Sequence, residues 1–459
     1  MPEILAARVG MPLITLLLSC GFFVGSPAMA AEAGTGWRAG VARARITPLE
    51  PMWLSGYGSR EHPSEGTRLE LWAKALALAD QAGTQALILT FDLVGLDRDT
   101  AERIRHAIEK STGIPPSRIA LCSSHTHTGP VVGRNLSTMY FFGTNEQSKV
   151  DRYTAQLTSE AVRIGTEAVA ALGPARLSWS VGRETVGVNR RNNPEPLVTA
   201  HRAGGSLRGP VDYDVPVLRV AANDGKIIAL LFGYACHATV LSDYQWSGDY
   251  PGFAQQTLEQ RHPGAQALFI AGCGADVNPL PRRTPELAQN YGQRIADAVD
   301  RVLEGVLTPI APTLKIRYSE VAIPFDTLPT RPALEKAAAS NDKYAASHAK
   351  QMLRHLDQHG SLPQSYPYPL ALWRLGQELD WVSLGGEVVV DYSLRLKQEW
   401  GPKTWVSAYT HDVMAYIPSR RVWEEGGYEG GASMMYYGLP TRWTGEVENR
   451  IFEALRTLR

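Results

Sequence analysis

The stretch SRIALCSSHTHTGP, residues 117–130, decides how this chain is read. Its first half, with Ile119, Leu121 and Cys122, has the composition of a buried strand. Its second half sets His125 and His127 two residues apart among small hydroxyl residues, and Gly129-Pro130 then turns the chain. If extended backbone persists past Ser124, alternation points both imidazoles to one side; on a helix the same spacing would splay them apart. A histidine pair aimed from the sequence end of a strand suits a metal or an acid–base site. The sequence ends of strands in α/β sheets are also where ligands gather. Two histidines in a surface turn is the plainer alternative.

Strand–helix alternation spreads outward from this point. TQALILTFDLVG (84–95) and LWAKALALAD (71–80) read as strands. DTAERIRHAIEKSTG (99–113) reads as a helix with an Asp cap and a Gly stop. KVDRYTAQLTSEAVRIGTEAVAAL (149–172) is a long amphipathic helix. Residues 215–241 are two strands about an Asn-Asp-Gly turn. Residues 265–272 form a strand, and residues 285–306 and 331–359 are helical. Near the end, ELDWVSLGG (378–386) and TWVSAYT (404–410) are strands, and residues 387–400 open a helix between them. Neither repeats nor a low-complexity linker interrupt the pattern, so the expected fold class is α/β, with one large mixed catalytic domain over residues 36–459.

Residues 1–30 read as a signal peptide, with Arg8 before a short apolar run and Ala28-Met29-Ala30 as the cleavage site. A lipoprotein anchored at Cys20 is the rival reading, and both imply an exported protein, periplasmic or secreted. Lys+Arg and Asp+Glu each total 46, so there is no basic excess for nucleic acid. Cys122, Cys236 and Cys273 are too few for a disulfide framework and are read as buried small side chains. Odd offsets from His125 and His237 place the thiols of Cys122 and Cys236 on the opposite strand face.

A catalytic zinc needs about three protein ligands. His237 ends an apolar strand, where a polar side chain needs a partner or a task. Glu387 follows an apolar strand and a Gly-Gly break, and burying it unpaired would be costly. Asp249 and Asp276 sit in Gly-rich turns that turn chemistry alone could explain. His106 and His348 lie on helix faces and are read as unremarkable. His355 and His359 have helical zinc spacing, but Leu356 stands where a metalloprotease has Glu, so they read as a helix end. No G-x-S-x-G elbow, phosphate loop or dinucleotide fingerprint stands in residues 31–459.

The ordered set of SHTHTGP, NRR (189–191), CHATVLSDYQWSGDYPGFA (236–254), GCGADVNP (272–279), GGEVVVDYSLRL (385–396) and MAYIPSRRVWEEGGYEGG (414–431) resembles the neutral/alkaline (non-lysosomal) ceramidases, in their N-terminal catalytic domain. SGYGSREHPSEGTRLELWAKAL (55–76) is similar to that family's N-terminal stretch. The resemblance implies layered sheets flanked by helices and a zinc-dependent amidohydrolase that cleaves the N-acyl amide of ceramide or a related lipid. It implies one Zn2+ ion on His125, His237, Glu387 and Tyr416. It implies His127, Arg190 and Tyr428 as substrate-facing polar groups, with Asp276 retained among the catalytic set. The expected partner is a lipid-like N-acyl substrate, with transient membrane contact; oligomeric state is left open. Asn278 stands where the family carries serine, and no C-terminal immunoglobulin-like domain is expected. Two alternatives remain: a zinc amidase or esterase for a smaller, non-ceramide N-acyl substrate, and a binding protein with a vestigial site. STMYFFGTN (137–145) either lines an acyl-chain channel or packs in the core.

Overall fold

A computed structural model describes residues 36–459. The proposed leader and Cys20 lie outside the described residues. Two sheets stack face to face with helices on their outer sides. The larger runs, in spatial order, Gln266–Ala271, Ile227–Tyr234, Asp214–Ala222, Gly173–Arg183, Trp37–Arg45, Trp72–Ala79, Gln85–Phe91 and Ile119–Ser123. The smaller runs Leu314–Pro324, Ser365–Leu375, Leu379–Leu384 and Thr404–Ser407.

The apolar runs are explained by burial on both faces. In Trp72–Ala79, Ala73, Ala75 and Ala77 pack toward helices, while Leu76 and Leu78 pack between the sheets. In Leu379–Leu384, Leu379 and Trp381 face the larger sheet, and Val382 and Leu384 face the opposite way. Cys122 lies between the sheets, and Cys236 and Cys273 lie in the core on the other side; all three are buried free thiols.

Most pairings are antiparallel. Within the two sheets three are parallel: Gln85–Phe91 with Ile119–Ser123, Ile227–Tyr234 with Gln266–Ala271, and Leu379–Leu384 with Thr404–Ser407. The larger sheet curls so that its edge strands Ile119–Ser123 and Gln266–Ala271 approach each other. The loop after Thr404–Ser407 stitches the gap. Ala408 N–H donates to Ala271 O at 3.0 Å, Ser123 N–H to Tyr409 O at 3.0 Å and His411 N–H to Leu121 O at 2.7 Å. This closure gathers the sequence ends of strands from both sheets.

Some boundaries move. The helix expected from Asp99 is capped by Asp97 and spans Arg98–Thr112, with Gly113 in the left-handed region. The stretch 331–359 is two helices, Arg331–Ala338 and Lys343–His359, because Asp342 caps a new start with its carboxylate on Tyr344 N and Ala345 N. Among the described residues no helix is long and apolar enough to cross a membrane.

Candidate metal centre and its cleft

Each key side chain sits just past a strand end. His125 follows Ile119–Ser123, His237 follows Ile227–Tyr234, and Glu387 follows Leu379–Leu384. One expectation about the route is overturned. The strand does not continue through the histidines: His125 has φ 62°, in the left-handed region. A bulky residue adopts it only when its surroundings fix it, and here His125 N–H donates to Leu93 O and its Nδ1 to Val94 O at 2.6 Å. The two imidazoles still meet, with Nε2 atoms 3.2 Å apart, through a kink rather than through alternation.

Glu387 pairs in a short parallel bridge with Tyr416, which places the carboxylate and the phenol side by side. The Gly-Gly break before it is steric: Gly386 has φ +72°, and a Cβ there would lie 2.7 Å from Ala415 O. Glu387 Oε2 lies 3.1 Å from His125 Nε2 and 3.2 Å from His237 Nε2, and Tyr416 Oη is 3.3 Å from His237 Nε2.

These contacts pose a charge problem that a cation solves. His237 Nδ1 donates to Gly274 O at 2.8 Å, as His125 Nδ1 does to Val94 O, so both rings turn Nε2 toward Glu387. Burial pushes the His237 imidazole down to about 4 and His127 well below its usual range, so both are neutral at pH 7. Burial raises the Glu387 carboxyl, and only positive charge or a donated proton on the His125 and His237 side holds it well below the usual range. Its Oε2 has no hydrogen-bond partner. Imidazole nitrogens and a carboxylate therefore converge at close to 3 Å in a buried place, where either a shared proton or a cation must answer the carboxylate's charge. The Nε2 atoms of His125, His127 and His237 form a group able to hold a metal ion, and the nitrogen–carboxylate donor set suits a first-row divalent ion.

Beyond the centre lies a cleft of about 640 Å³. His127, Arg190, His237, Tyr416 and Tyr428 line it. Arg190 donates to Glu429 Oε1 at 2.7 Å, to Tyr416 Oη at 3.2 Å and to Asn278 Oδ1 at 3.3 Å, so the residue that departs from the family serine has a partner here. Tyr428 stacks edge-on to Tyr416 at 5.2 Å and is 41% exposed. Asp276 does not line the cleft. Its buried carboxylate accepts from Val390 N–H at 2.9 Å and Asn189 Nδ2 at 3.0 Å, and its carbonyl accepts from Arg190 N–H at 2.8 Å. It ties the Glu387 and Arg190 segments together from behind. Asp249 caps its turn, accepting from Leu241 and Tyr250 N–H. His355 and His359 stack on each other at the helix end before Gly360.

Sequence reasoning missed several contacts. Tyr437 Oη donates to Glu387 Oε1 in a short hydrogen bond. Tyr409 lies over the His125 ring at 4.3 Å, and Tyr57 packs on His127 at 4.7 Å. The stretch 137–145 divides its roles: Met139 is buried, whereas Phe141 is 49% exposed. Phe141 ends an aromatic series that runs from Tyr428 through Tyr436 and Tyr344, with neighbouring centroids 6.1, 5.4 and 5.5 Å apart.

Residues 37–279 match the family described as neutral/alkaline non-lysosomal ceramidase, N-terminal. The chain belongs to this family. Among solved structures it is similar to the neutral ceramidase from Pseudomonas aeruginosa, with a TM-score of 0.69 and 18% identity over 92% of this chain and 73% of that one. It is also similar to a ceramidase complexed with C2, with a TM-score of 0.68 and 17% identity over 92% of this chain and 76% of that one. At such identities the likeness is one of fold. Family membership makes this chain a hydrolase of the ceramidase type.

Proposed function

We propose that this protein is a zinc-dependent amidohydrolase that cleaves the N-acyl amide of ceramide or a related lipid, releasing a sphingoid base and a fatty acid. The observation that carries it is the convergence of His125, His127 and His237 Nε2 with Glu387 Oε2 at the inner end of the cleft. In this reading His125, His237 and Glu387 hold the ion with Tyr416 beside them. Bound there, zinc would polarise the amide carbonyl and acidify a water.

The chain's own residues do the rest. His127, kept neutral by burial, accepts a proton at Nε2 as water oxygen adds to the carbonyl carbon. The same proton passes to the amide nitrogen as the C–N bond breaks. The Tyr428 hydroxyl donates to the developing oxyanion. Arg190, anchored by Glu429 and Asn278, keeps Tyr416 oriented through its bond to the phenol. Asp276 acts through position. The leader read in residues 1–30 extends the proposal to an exported enzyme.

Metal analysis and ceramide turnover test it together. His125→Ala should lose the ion and all turnover. Tyr428→Phe should keep the ion and lose about 10²–10³ in kcat. Full metal occupancy in the first variant, or near-wild-type turnover in the second, would overturn the assignments. The smaller, polar N-acyl substrate remains the second reading, because six charged side chains and only two aliphatic ones, Leu280 and Pro194, line the cleft.

A further inference from the structure

The cleft wall is unusual for an enzyme of lipids. Small-molecule sites are mostly apolar with a few polar groups. Here Arg190, Arg191 and Arg282 face the cleft with Glu195, Glu425 and Glu429, while Leu280 and Pro194 are its aliphatic members. The six charges sum to zero and are paired across the wall, as in Arg282 with Glu195 at 2.9 Å and Arg191 with Glu425 at 2.9 Å. An alkyl chain laid on these pairs would desolvate them without compensation. A net anion or cation would find no excess of the opposite sign. A neutral polyhydroxyl group needs donors and acceptors interleaved, which paired guanidinium and carboxylate edges supply.

A second observation points to a missing hydrogen-bonding partner. Thr239 lines the cleft, is 3% exposed, and its Oγ1 has no partner. Buried polar atoms are almost always satisfied, so an orphan hydroxyl on a cleft-lining residue marks a place where a ligand bonds. Apolar parts of a substrate have a separate surface. The aromatic series begins at Tyr428 on the cleft edge, and Tyr436, Tyr344 and Phe141 lie outside the cleft lining. A bare ceramide headgroup, with its two hydroxyls, leaves most of about 640 Å³ empty.

We propose that this cleft takes a hexose-sized, neutral polyhydroxyl headgroup, so that the substrate is a glycosylated N-acyl amide, with Thr239 and Arg282 as specificity-determining residues. The inference rests on the amidase reading of the same site.

Its test compares two N-acyl sphingoid amides of equal acyl length, one with a hexose on the primary hydroxyl and one without, on the full metal-loaded protein. The glycosylated amide should have kcat/KM about tenfold higher. In Thr239→Val and in Arg282→Ala that ratio should fall toward one. Thr239→Val is isosteric and breaks no bond in the structure, and thermal unfolding checks that it folds. Equal or better turnover of the bare amide overturns the headgroup inference and leaves the amidase reading standing. If neither amide is cleaved, the amidase reading fails, and calorimetry with the deacylated glycosyl base still decides this one. Binding weakened about tenfold by Thr239→Val supports it, and absent or unchanged binding refutes it.

Discussion

Removing the metal should destabilise the whole fold, and the amount can be worked from the site. Without a cation, Glu387 Oε2 stands 3.1 and 3.2 Å from two imidazole nitrogens, and only a proton on one of them can answer its charge. Binding to the folded state alone stabilises by about 4.1 kcal/mol when free zinc is near 1,000 Kd. Unfolding entropy of about 2.1 cal/mol/K per residue, over roughly 420 residues, gives roughly 0.9 kcal/mol/K. Zinc should therefore raise Tm by about 4–5 °C. Glu387→Gln sharpens the test. The Gln amide can donate N–H to an imidazole Nε2 and satisfies by hydrogen bonding what the ion satisfies by charge. The stripped variant should melt at or above the stripped wild type and should not respond to zinc. Calorimetry on chelator-dialysed protein, titrated with zinc and paired with metal analysis, reads both numbers. Superimposable melting curves for stripped and zinc-saturated wild type would refute the reasoning, as would a Glu387→Gln variant that responds like wild type.

Three further outcomes are expected. Tyr437→Phe removes the donor on Glu387 Oε1 and should weaken metal affinity about 10–100-fold, read by competition with a chromogenic chelator. Gly56→Ala forces a Cβ to 2.5 Å from His127 at a φ of +92°; displacing that ring should cost about 10²-fold in kcat/KM while metal content is kept. Asp412 is raised by burial to about 7, with Tyr366 Oη bonded to its carboxylate. A raised folded pKa means that its contribution is full below about pH 4 and is lost as pH climbs to about 7. Asp412→Asn should flatten the fall in Tm over that window, worth up to roughly 4 kcal/mol, and an unchanged Tm–pH slope would refute the assignment.

The fold was legible where burial on both faces wrote continuous apolar runs, as in residues 71–80, 84–95 and 378–386. It was illegible in Trp37–Arg45, Gly173–Arg183 and Leu314–Pro324. These strands pair on the sheets with mixed polar and apolar sequences such as ARLSWSVGR, and backbone pairing across long sequence distances decides them. The break at Ser340–Asp342 was missed for a local reason. Helix-compatible residues flank it, and only the cap geometry of Asp342 marks the second start.

The site divides along the same physical line. His237 and Glu387 stand out because a polar side chain at the end of an apolar strand needs an explanation, and one end of one strand is enough to see it. No local pattern exposes Tyr416, Tyr437 or Tyr409, since a tyrosine near an apolar stretch is ordinary core material. Resemblance to a family implies Tyr416, whereas neither resemblance nor local pattern marks Tyr437 or Tyr409. What brings them to the site is the curling of the larger sheet, which brings Ile119–Ser123 toward Gln266–Ala271, and the Ala408–His411 backbone that fills the gap. The same closure explains the backbone at His125. Its left-handed φ is shared by Tyr409 and His411, the residues whose backbone bonds lock the seam. Three of the six non-glycine residues with positive φ among the described residues lie at the seam and none within the strands that feed it, as a site assembled by sheet closure requires. His125 is held in that conformation by the Leu93 and Val94 carbonyls, and the kink aims its Nε2 at Glu387.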